Sequence, residues 1–396
     1  MIVLAGGNLV LPDRILAGTA LAIDRGRIVA IGTAPDASRD VATVDIRDLF
    51  VVPGFVDVHV HGVEGHDTLD GPGAIVSIAS RLPRYGVTAF CPTTMACGPV
   101  ALREVLEQVG EARVQRPPTS ARVLPAHLES NFINPEFAGA QPRDWLCSPG
   151  GDRGAAGLSG RDILSVIESR APDVGIVTLA PELPDALALV TALARAGHRV
   201  SIGHSGADFE QASRAFDLGA RHATHLFNRM TPMTHQAPGV VGAVLSRDEV
   251  IAELICDGVH VHPAACRAAL AAKGPHGVMA VTDGTAGSGL PLGSAARLGG
   301  RTIHVTDRGA RLGDGTLAGS TLTMDRAFRN IVAMCGRSIT DAAIVCSTTP
   351  ARALGLTGFG VIAEGAVADL TVIDAHLTVA RTYIDGACVY AREAAA

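Results

Sequence analysis

A (β/α)8 barrel of the TIM type, carrying a small β-sandwich formed by both chain ends, is the fold this sequence predicts. Three observations lead there. Eight short apolar runs rich in β-branched residues alternate with helix-period segments through the middle of the chain. Both ends hold short alternating strands separated by turn residues. The polar residues of the middle runs gather where each run ends, the face at which such barrels place their chemistry.

The runs are 55–62, 87–94, 123–130, 175–182, 199–206, 222–228, 250–258 and 278–284. Amphipathic segments such as 101–114 and 185–196 follow most of them, as parallel strands need crossover helices. The barrel is therefore expected over residues 53–349. On the flanks, 20–24, 27–31 and 42–45 read as strands, as do 368–373, 383–384 and 387–390. Residues 1–52 and 350–396 are expected to meet as one sandwich domain, because chain termini often lie close together. The Ala-rich tail after Glu393 is expected to be disordered.

Composition narrows the function. The 396-residue chain is 47% hydrophobic with a formal net charge of -6, and no Lys/Arg-rich run interrupts it. Nucleic acid and anionic membrane surfaces lack an electrostatic footprint here, so a small molecule is the expected partner. Residues 1–9 are apolar but have no basic flank and are broken by Gly6, Gly7 and Asn8, which reads as strand and turn rather than leader. No apolar stretch approaches the roughly 20 residues of a membrane span. The eight cysteines are scattered without a CxxC pair, mostly in apolar contexts, as buried reduced thiols in a cytoplasmic protein would be.

The first run closes on His59-Val60-His61, and strand alternation turns both imidazoles to one side, into the barrel mouth. The third closes on His127-Leu128-Glu129, the fifth on Gly203-His204, the sixth on Thr224-His225 and the eighth on Thr282-Asp283. Singly, each has an ordinary explanation: a hydrogen-bonded histidine, or an aspartate capping a helix. Jointly, four histidines (His59, His61, His204, His225) and two carboxylates (Glu129, Asp283) converge on one face. That donor set suits Zn or Fe and is large enough for one or two divalent ions with a position left for water. Such an ion lowers the pKa of bound water towards about 7 and polarises a carbonyl, as hydrolysis of an unreactive amide requires. Asp283 would carry the proton from the attacking water to the departing amine.

The segment Pro53-Gly54-Phe55-Val56-Asp57-Val58-His59-Val60-His61-Gly62 resembles the first-strand signature of the amidohydrolase superfamily. A finer resemblance, to the N-acetylglucosamine-6-phosphate deacetylases, runs nearly end to end. It rests on Thr93-Thr94-Met95, His127-Leu128-Glu129 with Gly139-Ala140-Gln141, Leu179-Ala180-Pro181-Glu182 and Gly203-His204-Ser205. It continues through Thr224-His225-Leu226-Phe227-Asn228, Asp257-Gly258-Val259-His260, Val281-Thr282-Asp283 and Leu317-Ala318-Gly319-Ser320.

The resemblance implies that Glu129, His204 and His225 hold the principal metal, and that His59 and His61 match the pair that holds a second ion in some members of the family, others using one metal. It makes Asp283 the general acid and base. It places Asn228 and His260 against the sugar phosphate or its amide, and Gln141 near the sugar of an N-acyl amino sugar. It also implies the barrel with its sandwich and a homodimer. Relatives in the superfamily that open cyclic amides bridge two ions with a carboxylated lysine on the fourth strand. Here the only lysine, Lys273, follows the seventh strand, so Glu129 is the candidate shared ligand. Two positions depart from the pattern. Ser130-Asn131 stands where Gly-Pro usually follows the His-Leu-Glu, and Gln236 stands where an arginine usually grips the phosphate. Arg229, in place of a small residue, would bring a charge back from another direction. The competing readings are a deacylase of another N-acyl amino sugar or N-acyl compound, and a non-catalytic binding relative, which would be expected to have lost ligands.

Overall fold

The computed structural model describes residues 1–32, 41–151 and 157–393, so the tail expected to be disordered lies outside the described residues. The barrel strands are β1 (Phe55–Val60), β2 (Val87–Thr94), β3 (Ala126–Glu129), β4 (Val174–Leu179), β5 (Arg199–Ile202), β6 (His222–Ala223), β7 (Ile251–Leu254) and β8 (Val278–Ala280). Each pairs in parallel with the next. The ring closes between β8 and β1 just past their ends. Asp283 N–H donates to the His59 carbonyl at 2.9 Å, and His61 N–H to the Gly284 carbonyl at 2.8 Å. The bonds that close the barrel thus also set Asp283 beside the two histidines of β1.

Every predicted run coincides with one of these strands, β4 starting one residue ahead of its run, and most strands stop short of the run's end. The reason is local. His204, His225 and Asp283 sit just past their strands with φ of 48°, 33° and 47°, so the chain leaves the ladder there. In the third run, Pro125 has no N–H to donate, and Arg122–Val123 pairs with β2 as a separate short strand before β3 begins.

Helices cover the barrel with apolar stripes. Pro99–Val114 turns Leu102, Val105, Leu106, Val109 and Ala112 inward at helical spacing, each large aliphatic side chain contributing about 1.5 to 3 kcal/mol. The helix Phe209–Asp217, which follows the loop carrying His204, starts on a capping box of Asp208 and Gln211.

The flanking segments form one mixed eight-stranded sheet, in which Phe50–Pro53 from the N-terminal side pairs antiparallel with Leu370–Ile373 from the C-terminal side. Its own core includes Leu4, Leu21, Ile28, Val51, Leu370 and Tyr383. It docks at the N-terminal ends of the barrel strands, away from the mouth. Thr371 Oγ1 donates to the Gly86 carbonyl and Thr382 Oγ1 to the Pro83 carbonyl, both at 2.7 Å, and Arg122 Nε pairs with buried Asp369 at 2.9 Å.

One element was not anticipated. After β8 the chain forms an antiparallel sheet of Ala295–Leu298, Arg301–Thr306 and Gly309–Leu312. Leu298, Ile303, Ala310 and Leu312 pack with Met95 and Ala318, so this sheet walls one side of the barrel mouth. Among the described residues no helix is long and apolar enough to cross a membrane.

Candidate active site

The alternation of β1 points Asp57, His59 and His61 into the barrel, with Val56, Val58 and Val60 outward in the core. From the other strands come Glu129, His204, His225 and Asp283, and all the predicted ligands are buried. His204 Nε2 and His225 Nε2 lie 2.8 and 2.9 Å from Glu129 Oε1 and 3.1 Å from each other. His61 Nε2 lies 3.4 Å from Glu129 Oε2, 3.3 Å from His59 Nε2 and 3.2 Å from Asp283 Oδ1. One carboxylate therefore serves both histidine pairs, Oε1 meeting His204 and His225 and Oε2 meeting His61, with His59 Nε2 3.8 Å from Oε1.

The tautomers tell what this arrangement wants. His204 Nδ1–H donates to the Phe137 carbonyl at 2.8 Å, and His59 Nδ1–H donates to Glu253 Oε2 at 2.8 Å. Each ring thus turns a lone pair on Nε2 toward the centre, against other lone pairs and carboxylate oxygens. A cation resolves that repulsion. The Glu129, His204 and His225 atoms are close enough together to share one ion at bonds of roughly 2.0 to 2.2 Å. The residues fit a divalent metal, and a second group of His59, His61 and Glu129 has the same character.

Electrostatics agree. Burial opposes ionisation of Glu129, but His204 and His225 outweigh it and hold the carboxyl well below its usual range. Burial likewise opposes charge on His59 and His61, yet the carboxylates around them push their pKa values up to about 9 and about 10, so that without an ion these rings take up protons in the place a cation would fill. Asp283 is buried too, and His59 and His61 nevertheless hold it below the ordinary carboxylate range. Three of these residues also carry backbone strain: left-handed φ at His204, His225 and Asp283 costs on the order of 1 to 3 kcal/mol each. Gly203 is required beside this strain, since a Cβ there would lie 2.7 Å from Thr224 Cβ.

A cavity of about 460 Å³ opens over the cluster. Of the residues expected to meet substrate, Asn228, Arg229, His260 and Gln141 line it, and Gln236 does not; it is exposed on the loop beside Thr234. Arg229 is the one Arg or Lys side chain among the described lining residues. His260 Nδ1 is 2.6 Å from Asp257 Oδ2; burial opposes charge on the ring, but this contact raises its pKa. Gln141 does something the sequence did not announce. Its Oε1 accepts from Ala96 N–H at 2.8 Å and its amide N–H donates to Glu129 Oε2, so it orients the shared carboxylate as well as facing the cavity. The departing pair Ser130-Asn131 faces away from the chemistry. Ser130 Oγ donates to the Thr178 carbonyl at 2.6 Å, and Asn131 Nδ2 ties together the Cys97 and Trp145 carbonyls at 2.8 and 2.7 Å.

Sequence reasoning missed Glu253. It is fully buried on β7, and its Oε2 accepts from both His59 Nδ1 and His225 N–H, the latter at 3.3 Å. The signal was a lone carboxylate inside the apolar stretch of β7, which a core does not admit unpaired. Replacing Glu253 by Gln keeps the shape but removes the charge that fixes the His59 ring. Affinity for an ion at the His59 and His61 pair is expected to fall roughly ten- to hundredfold, measured by metal titration; unchanged affinity would reduce Glu253 to packing.

An eight-stranded parallel barrel with histidine and carboxylate ligands converging at its mouth, and a carboxylate poised beside them, defines a metal-dependent amidohydrolase. Residues 178–389 match the Amidohydrolase family. The chain is 38% identical to the N-acetylglucosamine-6-phosphate deacetylase of Lysinibacillus sphaericus over 336 residues, 84% of each chain. It is 33% identical over 369 residues to the N-acetylgalactosamine-6-phosphate deacetylase of Escherichia coli O157:H7, 92% of this chain and 93% of that one. A variant of the Mycobacterium smegmatis N-acetyl-D-glucosamine-6-phosphate deacetylase, solved with N-acetyl-D-glucosamine-6-phosphate, superposes with a TM-score of 0.87 at 32% identity, covering 98% of this chain and 99% of that one. The chain belongs to the N-acetylglucosamine-6-phosphate deacetylase family.

Proposed function

We propose that this chain hydrolyses the N-acetyl amide of N-acetylglucosamine 6-phosphate, giving glucosamine 6-phosphate and acetate. The observation that carries this reading is Asp283 Oδ1 set 3.2 Å from His61 and 3.5 Å from His59 on the floor of a cavity large enough for a phosphosugar. Glu129, His204 and His225 would hold the principal ion, zinc or iron, and His59 and His61 a second with Glu129 shared. When bound, such an ion lowers the pKa of water towards about 7 and polarises the acetyl carbonyl. Asp283, kept ionised by its histidine neighbours, takes the proton of the attacking water and passes it to the nitrogen as the C–N bond breaks. Asn228 and His260 hold the sugar from the cavity wall.

Arg229 supplies the charge for the phosphate in place of Gln236. A homodimer is the assembly proposed, in which the exposed loop bearing Gln236 could approach a neighbouring cavity without bringing a charge. The free and mostly buried cysteines support a cytoplasmic setting.

The test is kcat/KM for the 6-phosphates of N-acetylglucosamine and N-acetylgalactosamine beside the unphosphorylated sugars. N-acetylglucosamine 6-phosphate should lead; a higher value for an unphosphorylated sugar would overturn the reading, and a lead for the galacto epimer would move it to that substrate. Arg229→Ala should raise KM for the phosphosugar about ten- to hundredfold, the loss of one charge-assisted contact. It should leave the unphosphorylated sugar unaffected. Equal losses on both would remove the phosphate role from Arg229.

A further inference from the structure

Outside the mouth of the barrel, one cluster of ligand-type side chains is left unexplained by the reaction. Cys256 lies two residues past β7, Cys266 on the helix Pro263–Lys273, and Cys335 two residues past the helix Met324–Ala333. Two neighbouring segments and a third that is distant in sequence thus bring their sulfurs together. The three Sγ atoms all lie within 4.8 Å of one another, and all three residues are buried. The chain's other five cysteines belong to no such group among the described residues.

Packing alone gives little reason for this convergence. A thiol is a weak donor and acceptor, and an alanine or valine would fill a core position as well. Three sulfurs facing one point are what a thiophilic d10 ion selects, with Zn–S bonds of about 2.3 Å. The surroundings carry the matching charge. Three thiolates about a divalent ion leave one net negative charge; Arg267, whose Nη1 donates to the Met334 carbonyl at 3.0 Å, and Arg337 bring positive charge toward Cys335, while Asp257 brings a negative one toward Cys266.

We infer that Cys256, Cys266 and Cys335 form a sulfur-only metal site for a thiophilic d10 cation such as Zn2+ or Cd2+, separate from the histidine and carboxylate site of the barrel mouth. Binding releases the thiol protons to solvent. The site has a link to the cavity. Cys256 immediately precedes Asp257, whose carboxylate holds the cavity residue His260. An ion on the three sulfurs ties the base of that loop to two helices.

The experiment uses the holoenzyme, loaded with zinc and dialysed, then titrated with Cd2+. The mouth site contains no cysteine, so thiolate-to-cadmium charge-transfer absorption in the ultraviolet does not arise there, and the exposed Cys388 is replaced by Ser in every sample, the wild type included. The wild type should develop the band with one further cadmium per chain and gain in melting temperature. Cys335→Ser and Cys266→Ser should each weaken cadmium binding beyond the roughly hundredfold that marks loss of an outer partner, while Cys346→Ser, a buried cysteine outside the cluster, should keep the band. Absence of the band in the folded wild type, or its full retention in both cluster variants, overturns the inference. Cadmium displacing zinc at the mouth leaves the band silent and is read separately by metal analysis.

Discussion

Asp283→Asn is expected to lower kcat by at least about a hundredfold while the bound metal stays at the wild-type level. The amide keeps the size and the backbone geometry of the aspartate, including the bond from Asp283 N–H to the His59 carbonyl that helps close the barrel at 2.9 Å. It removes the ability to take a proton. In the native chain the carboxyl is ionised despite burial, because His59 and His61 face it, so it stands ready as the base that starts the reaction. The principal ligand group, Glu129 with His204 and His225, does not include it. Metal analysis and kcat on one preparation decide the matter: metal lost together with rate would make Asp283 a ligand, and unchanged kcat would assign proton transfer to another group.

Much of this site was legible in the sequence because strand periodicity is rigid. In a strand, His59 and His61 have no choice but to share a face, and a short strand ending in a polar residue puts that residue at the mouth. What the pattern does not encode is the contact between strands. Glu253 sits on β7, nearly two hundred residues from His59, and only the closed barrel brings its carboxylate within 2.8 Å of that ring. Gln141 was placed near the sugar, but its grip on Glu129 depends on how its loop folds back across the mouth. The antiparallel sheet after β8 did leave a trace, the Gly299-Gly300 turn between alternating segments. It was hidden because a barrel pattern offers no place for three extra strands. The flanking strands were recognised singly, whereas their union in one sheet rests on the pairing of Phe50–Pro53 with Leu370–Ile373, which no local signal specifies.

Glu129→Gln is expected to empty both halves of the mouth at once. Its Oε1 serves His204 and His225, and its Oε2 serves His61, so a single neutral amide weakens two groups of ligands that share no other residue. An amide nitrogen in either place offers a hydrogen-bond donor where an ion needs a ligand oxygen, and in the Oε2 place it also breaks the contact from Gln141. Loss of affinity for the principal ion should exceed the roughly hundredfold typical of an outer partner, and turnover should vanish with it. His59→Asn is the contrast: it touches only the second group, so the principal ion should remain while any second ion leaves. Metal titration of the two variants beside the native chain separates the cases. If Glu129→Gln retained both ions, the carboxylate would not be the shared ligand, and the two histidine pairs would have to be filled through Asp283 and solvent instead.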